Sequence, residues 1–335
     1  MYRTLFLLPF AVAATGCDLE LPSGDITSVH TWGQYFLDKF EDERHEFNTV
    51  IEEGPAPIAR PRTVLLVTGV TIPIEWFDGI KARLERDGFN TVSYEPPELL
   101  SYDLFEASHD LADVVDDVLA ETGEETIDIL AECTGGVIAR YYVQSLGGDR
   151  NIDRLVTFVS PQAGIDKVPL ARAFVDWEAL EDLTPGSEFL TEVASVPLPE
   201  TVDMTSIYTC TDEYIQPYTT SIVPGATNIG LCDGFVGHFQ TMYDPEIYLI
   251  MHGALIQPLS FRRDRDDDGV PDDIDDTIDD DTIEDDTEDM EWHGAPELDA
   301  DTAGCSAAGG DTPIHGAFFL LALGMVSRSR RRAAR

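Results

Sequence analysis

The sequence predicts an α/β protein, a mostly parallel central sheet with helices on both faces, followed by an acidic extended stalk. Three observations carry this. From Arg62 to about Pro258, short apolar runs alternate with amphipathic stretches, the order that builds a parallel sheet covered by helices. The chain has 335 residues, 43% of them hydrophobic, enough for a sizeable core. After Phe261 the composition turns abruptly to aspartate and glutamate, which cannot bury a core.

The elements follow in order. Residues 18–61 hold one helical stretch, Thr31 to Phe47, and a turn-rich entry from Pro55 to Pro61. Val64 to Val67 is a buried strand, Trp76 to Asp87 a helix, and Asn90 to Tyr94 a second strand. Leu104 to Thr122 is a long helix with Leu111, Val114, Val115, Val118 and Leu119 on one side,. Thr126 to Leu130 reads as a strand, Gly136 to Leu146 as a helix, Leu155 to Val159 as a strand, and Pro245 to Leu255 as the closing helix.

Charge removes several function classes. Acidic residues number 64 against 21 basic ones, a formal net charge of −43, which argues against binding nucleic acid through a basic face. Lysine occurs three times, at Lys39, Lys81 and Lys167. No apolar run reaches the roughly 18 residues of a membrane span, which excludes a polytopic membrane protein.

The informative stretch is Ile127 to Gly136, Ile-Asp-Ile-Leu-Ala-Glu-Cys-Thr-Gly-Gly. A strand runs into small-x-nucleophile-x-Gly and then a helix, the pattern of a strained turn that lifts one side chain at a helix N-terminus. The side chain here is Cys133. A thiolate is a good nucleophile, and a helix N-terminus lowers a thiol's pKa; Glu132 opposes this if it lies close. The alternative for Cys133 is a buried, inert cysteine. Attack on a carbonyl needs an oxyanion hole, for which the candidates are the N–H of Thr134 and, from the loop Thr68-Gly69-Val70, the N–H of Val70.

From Arg62 to about Leu255 the chain resembles the bacterial secreted triacylglycerol lipases, class 2 lipases of the α/β-hydrolase fold. The carrying segments are the turn with Gly135 to Tyr142, then 160–164, 183–190, 205–212 and 225–229, and finally Gly237-His238 with Tyr243-Asp244-Pro245. Two positions depart from that family: Thr68-Gly69 stands for its His-Gly, and Cys133 for its serine. The resemblance implies an α/β-hydrolase fold and a catalytic set in the chain order nucleophile, acid, histidine. Asp212, on a strand-end loop, would orient the base, with adjacent Glu213 as the competing acid. His238 would take the Cys133 proton and return it to the leaving group. His109 lies on the long helix, His30 and His45 precede the first strand, His293 and His315 fall in the stalk and tail, and His252 reads as packing. No cofactor is expected for catalysis. Residues 165–200 are the positional candidate for a cover over the site.

Both ends read as addresses. Arg3, an apolar run from Leu5 to Ala14 and Ala14-Thr15-Gly16-Cys17 resemble a bacterial lipoprotein signal, with Cys17 the lipidated residue,. Gly304-Cys305, the apolar Ile314 to Val326 and the arginines 328 and 330–332 resemble the MYXO-CTERM sorting tail,. Export implies oxidising conditions. With Cys17 and Cys305 assigned to the ends and Cys133 to the turn, Cys210 and Cys232 remain to form a disulfide.

In the acidic region, Asp264, Asp266, Asp268, Asp272 and Asp275 fall at relative positions 1, 3, 5, 9 and 12, with Gly269 at 6 and Val270 at 7. Hard cations take six to eight oxygens, and this spacing can wrap a calcium ion. It resembles a single thrombospondin type 3 calcium repeat, and a five-residue acidic repeat follows, read as a self-repelling linker.

The expected organisation is a signal at 1–16, a linker at 17–61, a hydrolase domain at 62–258, a structural calcium stalk at 262–290, a linker at 291–310 and an anchor tail at 311–335. The expected function is a surface-anchored, outer-membrane lipase or esterase acting on lipid or acyl esters through Cys133, His238 and Asp212. Acyl transfer from a cysteine acyl-enzyme, and a catalytically silent surface binding protein, are the alternatives. The sequence leaves the oligomeric state open.

Overall fold

A computed structural model describes residues 38, 40–69, 73–96, 103–166 and 178–260. Cys17, Val70, the calcium-repeat positions from Asp264 to Asp275, Cys305 and the sorting tail lie outside the described residues.

Among the described residues, six strands form one sheet in the order β2-β1-β3-β4-β5-β6. They are β1 (Thr63–Val67), β2 (Asn90–Tyr94), β3 (Ile127–Glu132), β4 (Ile152–Phe158), β5 (Asp203–Thr209) and β6 (Thr227–Leu231). Every neighbouring pair is parallel. The sequence explains the ranking of the strands. β1 (TVLLV) and β3 (IDILAE) are buried at every position, as central parallel strands must be when both faces are covered. β2 and β6 hold exposed residues and form the two edges.

Seven helices pack around the sheet among the described residues: α1 (Glu41–Thr49), α2 (Asp78–Arg86), α3 (Leu104–Thr122), α4 (Thr134–Ser145), α5 (Glu178–Asp182), α6 (Glu188–Ser195) and α7 (Pro245–Ile256). Their ends carry chemical stops. The Asp103 carboxylate accepts from the N–H groups of Phe105 and Glu106 to cap α3, and Gly123, at φ 73°, closes it,. Asp244 caps α7 in the same way, with Pro245 in its first turn,.

Alternation along β1 divides the core. Leu65 and Val67 join Ile129, Ala131 and Leu155 beneath α3, α4, α5 and α6. Val64 and Leu66 join Leu130, Val156, Phe158 and Ile207 beneath α2 and α7.

Several expectations are refined. The helix expected from Trp76 begins as a 3₁₀ turn, Ile74–Phe77, before α2. β3 continues to Glu132, and α4 starts at Thr134, directly after Cys133. Of the helix read over Thr31 to Phe47, the described residues are 38 and 40–47, of which those from Glu41 lie in α1, which runs on to Thr49. Of the 165–200 segment, 167–177 lie outside the described residues, while Ala179, Leu180, Leu183, Phe189, Leu190 and Val193 are buried in the core with α3 and α4. No helix among the described residues is long and apolar enough to cross a membrane.

A buried charge cluster ties the N-terminal half of the sheet. Asp128 on β3 is fully buried, with Arg62 Nε at 2.6 Å and Arg154 Nη1 at 3.4 Å. Arg62 also donates to the Leu255 carbonyl, and Arg154 donates twice to the Gln257 carbonyl, at 3.1 and 2.7 Å. The cluster joins β1, β3, β4 and the end of α7. Removing the one carboxylate strands two guanidinium groups, so Asp128→Ala costs about 3–5 kcal/mol. Denaturant unfolding measures this; a loss below about 1 kcal/mol would rule out the structural role.

Candidate active site

The site stands at the C-terminal ends of β3 and β5 and on the loop after β6, the edge of a parallel sheet where ligands bind in this class of fold. Cys133 is the single residue between β3 and α4. Its backbone lies at φ 48°, ψ −125°, a conformation costing a non-glycine residue of order 1–3 kcal/mol. The surroundings enforce it. Cys133 N–H donates to the Phe158 carbonyl at 3.1 Å, while α4 starts at the next residue. Gly135 permits that geometry, because a Cβ there would sit 2.5 Å from the Thr68 carbonyl oxygen.

β5 and β6 deliver the other two residues. Asp212 follows β5 by three positions, and its Oδ1 accepts from the N–H groups of Tyr214 (2.8 Å) and Ile215 (2.7 Å). Its Oδ2 lies 2.8 Å from His238 Nδ1. Glu213, the competing acid, instead holds the main chain: its Oε2 accepts the backbone N–H of His238 at 2.9 Å. The acid loop and the histidine loop are sewn together. Thr209 and Thr211 hydroxyls donate to the Val236 carbonyl at 2.5 and 2.9 Å, and Val236 N–H donates back to Thr211 at 2.9 Å.

Cys210 and Cys232 form a disulfide across the same two loops, with a sequence separation of 22. Closing a loop of that size contributes about 3 kcal/mol in the chain-entropy account. Replacing both cysteines by serine therefore lowers stability by about that amount, read by calorimetry. Intact stability would show that the threonine contacts alone hold the loops.

Glu132 is the unexpected member. It ends β3 and is buried beside Cys133. Its Oε1 lies 3.2 Å from His238 Nε2, and its Oε2 accepts the Gly69 N–H at 2.8 Å. The chain approaches so closely at Gly69 that a Cβ would meet both Cys133 Cβ and Glu132 Oε2 at 2.5 Å. The His238 ring thus sits between two carboxylates. The sequence does carry a signal, an acidic residue ending a strand rich in isoleucine and leucine, but its reach to His238 is a tertiary fact.

These neighbours set the protonation states. Burial first, then the Glu132 charge, pushes the Cys133 thiol up, against hydrogen bonds from His238 and Thr134 that pull it down. This corrects the expectation that the helix N-terminus would lower it: desolvation and the adjacent carboxylate win. Burial opposes charge on His238, yet the Asp212 carboxylate and hydrogen bonds to Asp212, Cys133 and Glu132 hold its pKa well above the usual histidine range. Burial also raises the Glu213 carboxyl.

Of the remaining candidates, Thr134 opens α4, where its N–H is one of the helix's first free donors,. His109 is exposed on α3, and His252 packs edge-on to Phe89. Among the described residues, Glu132, Cys133 and His238 are the group able to hold a metal ion, their ligand atoms all within 4.8 Å of one another.

Comparison with known proteins agrees with this architecture. A family model described as palmitoyl protein thioesterase matches residues 101–216, which include Cys133 and Asp212. The mature lipase BlEst2 of Bacillus licheniformis superposes with a TM-score of 0.50 at 15% identity, over 60% of this chain and 96% of that one. Lipase B of Aspergillus fumigatus superposes with a TM-score of 0.53 at 17% identity, over 61% of this chain and 56% of that one. With its all-parallel sheet, its strained turn between β3 and α4 and these structural neighbours, the chain has the α/β-hydrolase fold.

Proposed function

We propose that this protein is an exported, surface-anchored hydrolase of acyl esters and thioesters, with Cys133 as nucleophile, His238 as base and Asp212 as the group that orients it. The observation that carries the reading is the strained turn at Cys133, beside a histidine whose Nδ1 lies 2.8 Å from Asp212. The thioesterase family match over the same turn supports the acyl-transfer class.

His238 Nε2 accepts the Cys133 proton as Sγ attacks the acyl carbon, and the Thr134 and Val70 N–H groups receive the oxyanion. The intermediate expels its leaving group, which takes the proton from His238. A water then gives its proton to His238 and attacks the thioester, releasing the acid and the Cys133 thiol. Substrate class follows from the leaving group. A sulfur nucleophile exchanges with a thiolate of similar basicity, whereas an alkoxide is far more basic and returns the intermediate to reactants. Thioesters and activated esters are therefore the better substrates. Cys17 as lipid anchor, the tail around Cys305 and a calcium ion held by 264–275 complete the proposal: a stiff acidic stalk between catalytic domain and cell surface.

The test compares a palmitoyl thioester, a p-nitrophenyl ester and a plain alkyl ester with the purified protein, beside Cys133→Ala and Cys133→Ser. Turnover of the first two that vanishes in Cys133→Ala is expected. Equal turnover in that variant would overturn the assignment. Activity confined to Cys133→Ser would mean a hydrolase fold serving as a binding protein.

A further inference from the structure

We propose that Glu132, Cys133 and His238 form a binding site for a thiophilic divalent cation of the zinc class, and that its occupation closes the nucleophile. The closing half rests on Cys133 being the nucleophile; the binding half stands without it.

The donor set comes first. One thiol sulfur, one imidazole nitrogen and one carboxylate oxygen lie within 4.8 Å of one another, on three buried residues. Sulfur, nitrogen and oxygen in that mixture suit a borderline-soft tetrahedral ion rather than calcium or magnesium. Three protein ligands leave a fourth position open.

The outer contacts are also those a metal site uses. Asp212 Oδ2 sits 2.8 Å from His238 Nδ1 and leaves Nε2 as the ligating nitrogen. The Gly69 N–H fixes the Glu132 carboxylate through Oε2, leaving Oε1 toward His238. Such partners orient ligands and tune metal affinity by roughly 10–100-fold.

The third argument is charge. Glu132 and Asp212 are both buried and both pair with the same single ring. A carboxylate beside the nucleophile hinders thiolate formation, so attack alone gives no reason for Glu132. A divalent cation does: it takes Glu132 Oε1 as an oxygen ligand and accepts the thiolate, its two charges replacing the two protons that leave Cys133 and His238,. On binding, the Cys133 S–H breaks, its proton passes to solvent, and the sulfur's electron pair goes to the metal. His238 likewise yields its Nε2 proton. No atom is oxidised or reduced.

The probe is cobalt(II) alone, added to the full chain at neutral pH, because a thiolate ligand gives a charge-transfer absorption that an oxygen site cannot. The band should saturate at one equivalent and disappear when zinc displaces cobalt. Zinc should slow iodoacetamide labelling of Cys133 tenfold or more, and a chelator should restore it. Glu132→Gln should weaken cobalt binding at least tenfold while its metal-free melting curve stays cooperative, which shows that the fold holding the site is still formed. Cys133→Ser should lose the band while the acidic stalk stays intact. Absence of the band in the native chain, or equal cobalt affinity in Glu132→Gln, would overturn the proposal. A persistent band in a protein inactive on every ester would sink the hydrolase reading and leave the metal site standing.

Discussion

Changing Asp212 to asparagine should lower kcat on the best thioester by about four orders of magnitude while leaving the fold intact. The fold is spared because Oδ1 does the structural work, accepting from Tyr214 and Ile215 N–H, and an asparagine oxygen can do the same. The other atom changes sign. Oδ2, now 2.8 Å from His238 Nδ1, becomes an N–H₂ donor, so the ring must present a bare nitrogen there and carry its proton on Nε2. The asparagine amide alone already favours that tautomer. Here Glu132 Oε1 lies 3.2 Å from Nε2 and stabilises it. His238 then has no free nitrogen for the Cys133 proton. Kinetics and a melting curve together check this; a fall of less than tenfold with unchanged melting would show that Asp212 does not orient the base.

The two loops that make this prediction possible are only partly legible in the sequence. Chain order and motif place Asp212 and His238 after the nucleophile, and elimination pairs Cys210 with Cys232, because those signals are local. The buried strands are legible for the same reason: β1 is a nearly unbroken apolar run, and β3 carries Ile127, Ile129, Leu130 and Ala131. β6 is not legible as a strand. Its residues Thr227 to Gly230 are exposed or half-buried at the sheet edge, so no apolar pattern marks it, and its register is supplied by β5. The segments around α5 and α6 are ambiguous for the opposite reason. Their position between β4 and β5 suggests a cover, but Phe189 and Val193 are apolar for the sake of the core under α3 and α4. The thiol's pKa is the third departure. Helix position is a sequence property; the burial of Cys133 and the Glu132 charge that outweigh it are tertiary.

Glu132 governs the second large effect, on pH. The base must be neutral to accept the Cys133 proton, and His238 is held well above the usual histidine range, with burial opposed by Asp212, Cys133 and Glu132. kcat/KM should therefore rise with pH along a limb lying above the ordinary histidine value of about 6.5. Glu132→Gln removes one hydrogen-bonded carboxylate from His238 and the neighbouring charge that raises Cys133. Both groups then titrate lower, and the limb moves toward acid. Each unit of that movement is about tenfold in rate at a pH below the limb. Stability moves the other way. A histidine whose pKa is raised on folding stabilises the protein fully below its unfolded pKa and loses that contribution as pH rises through the folded one. The glutamine variant should thus lose stability at low pH and little at high pH, where wild-type His238 is already neutral. Rate profiles and melting curves in metal-free buffer separate the two effects. Glu132→Asp, which keeps the charge, should hold the limb near its native place; a limb that stays put in Glu132→Gln would show that Glu132 does not bear on the base.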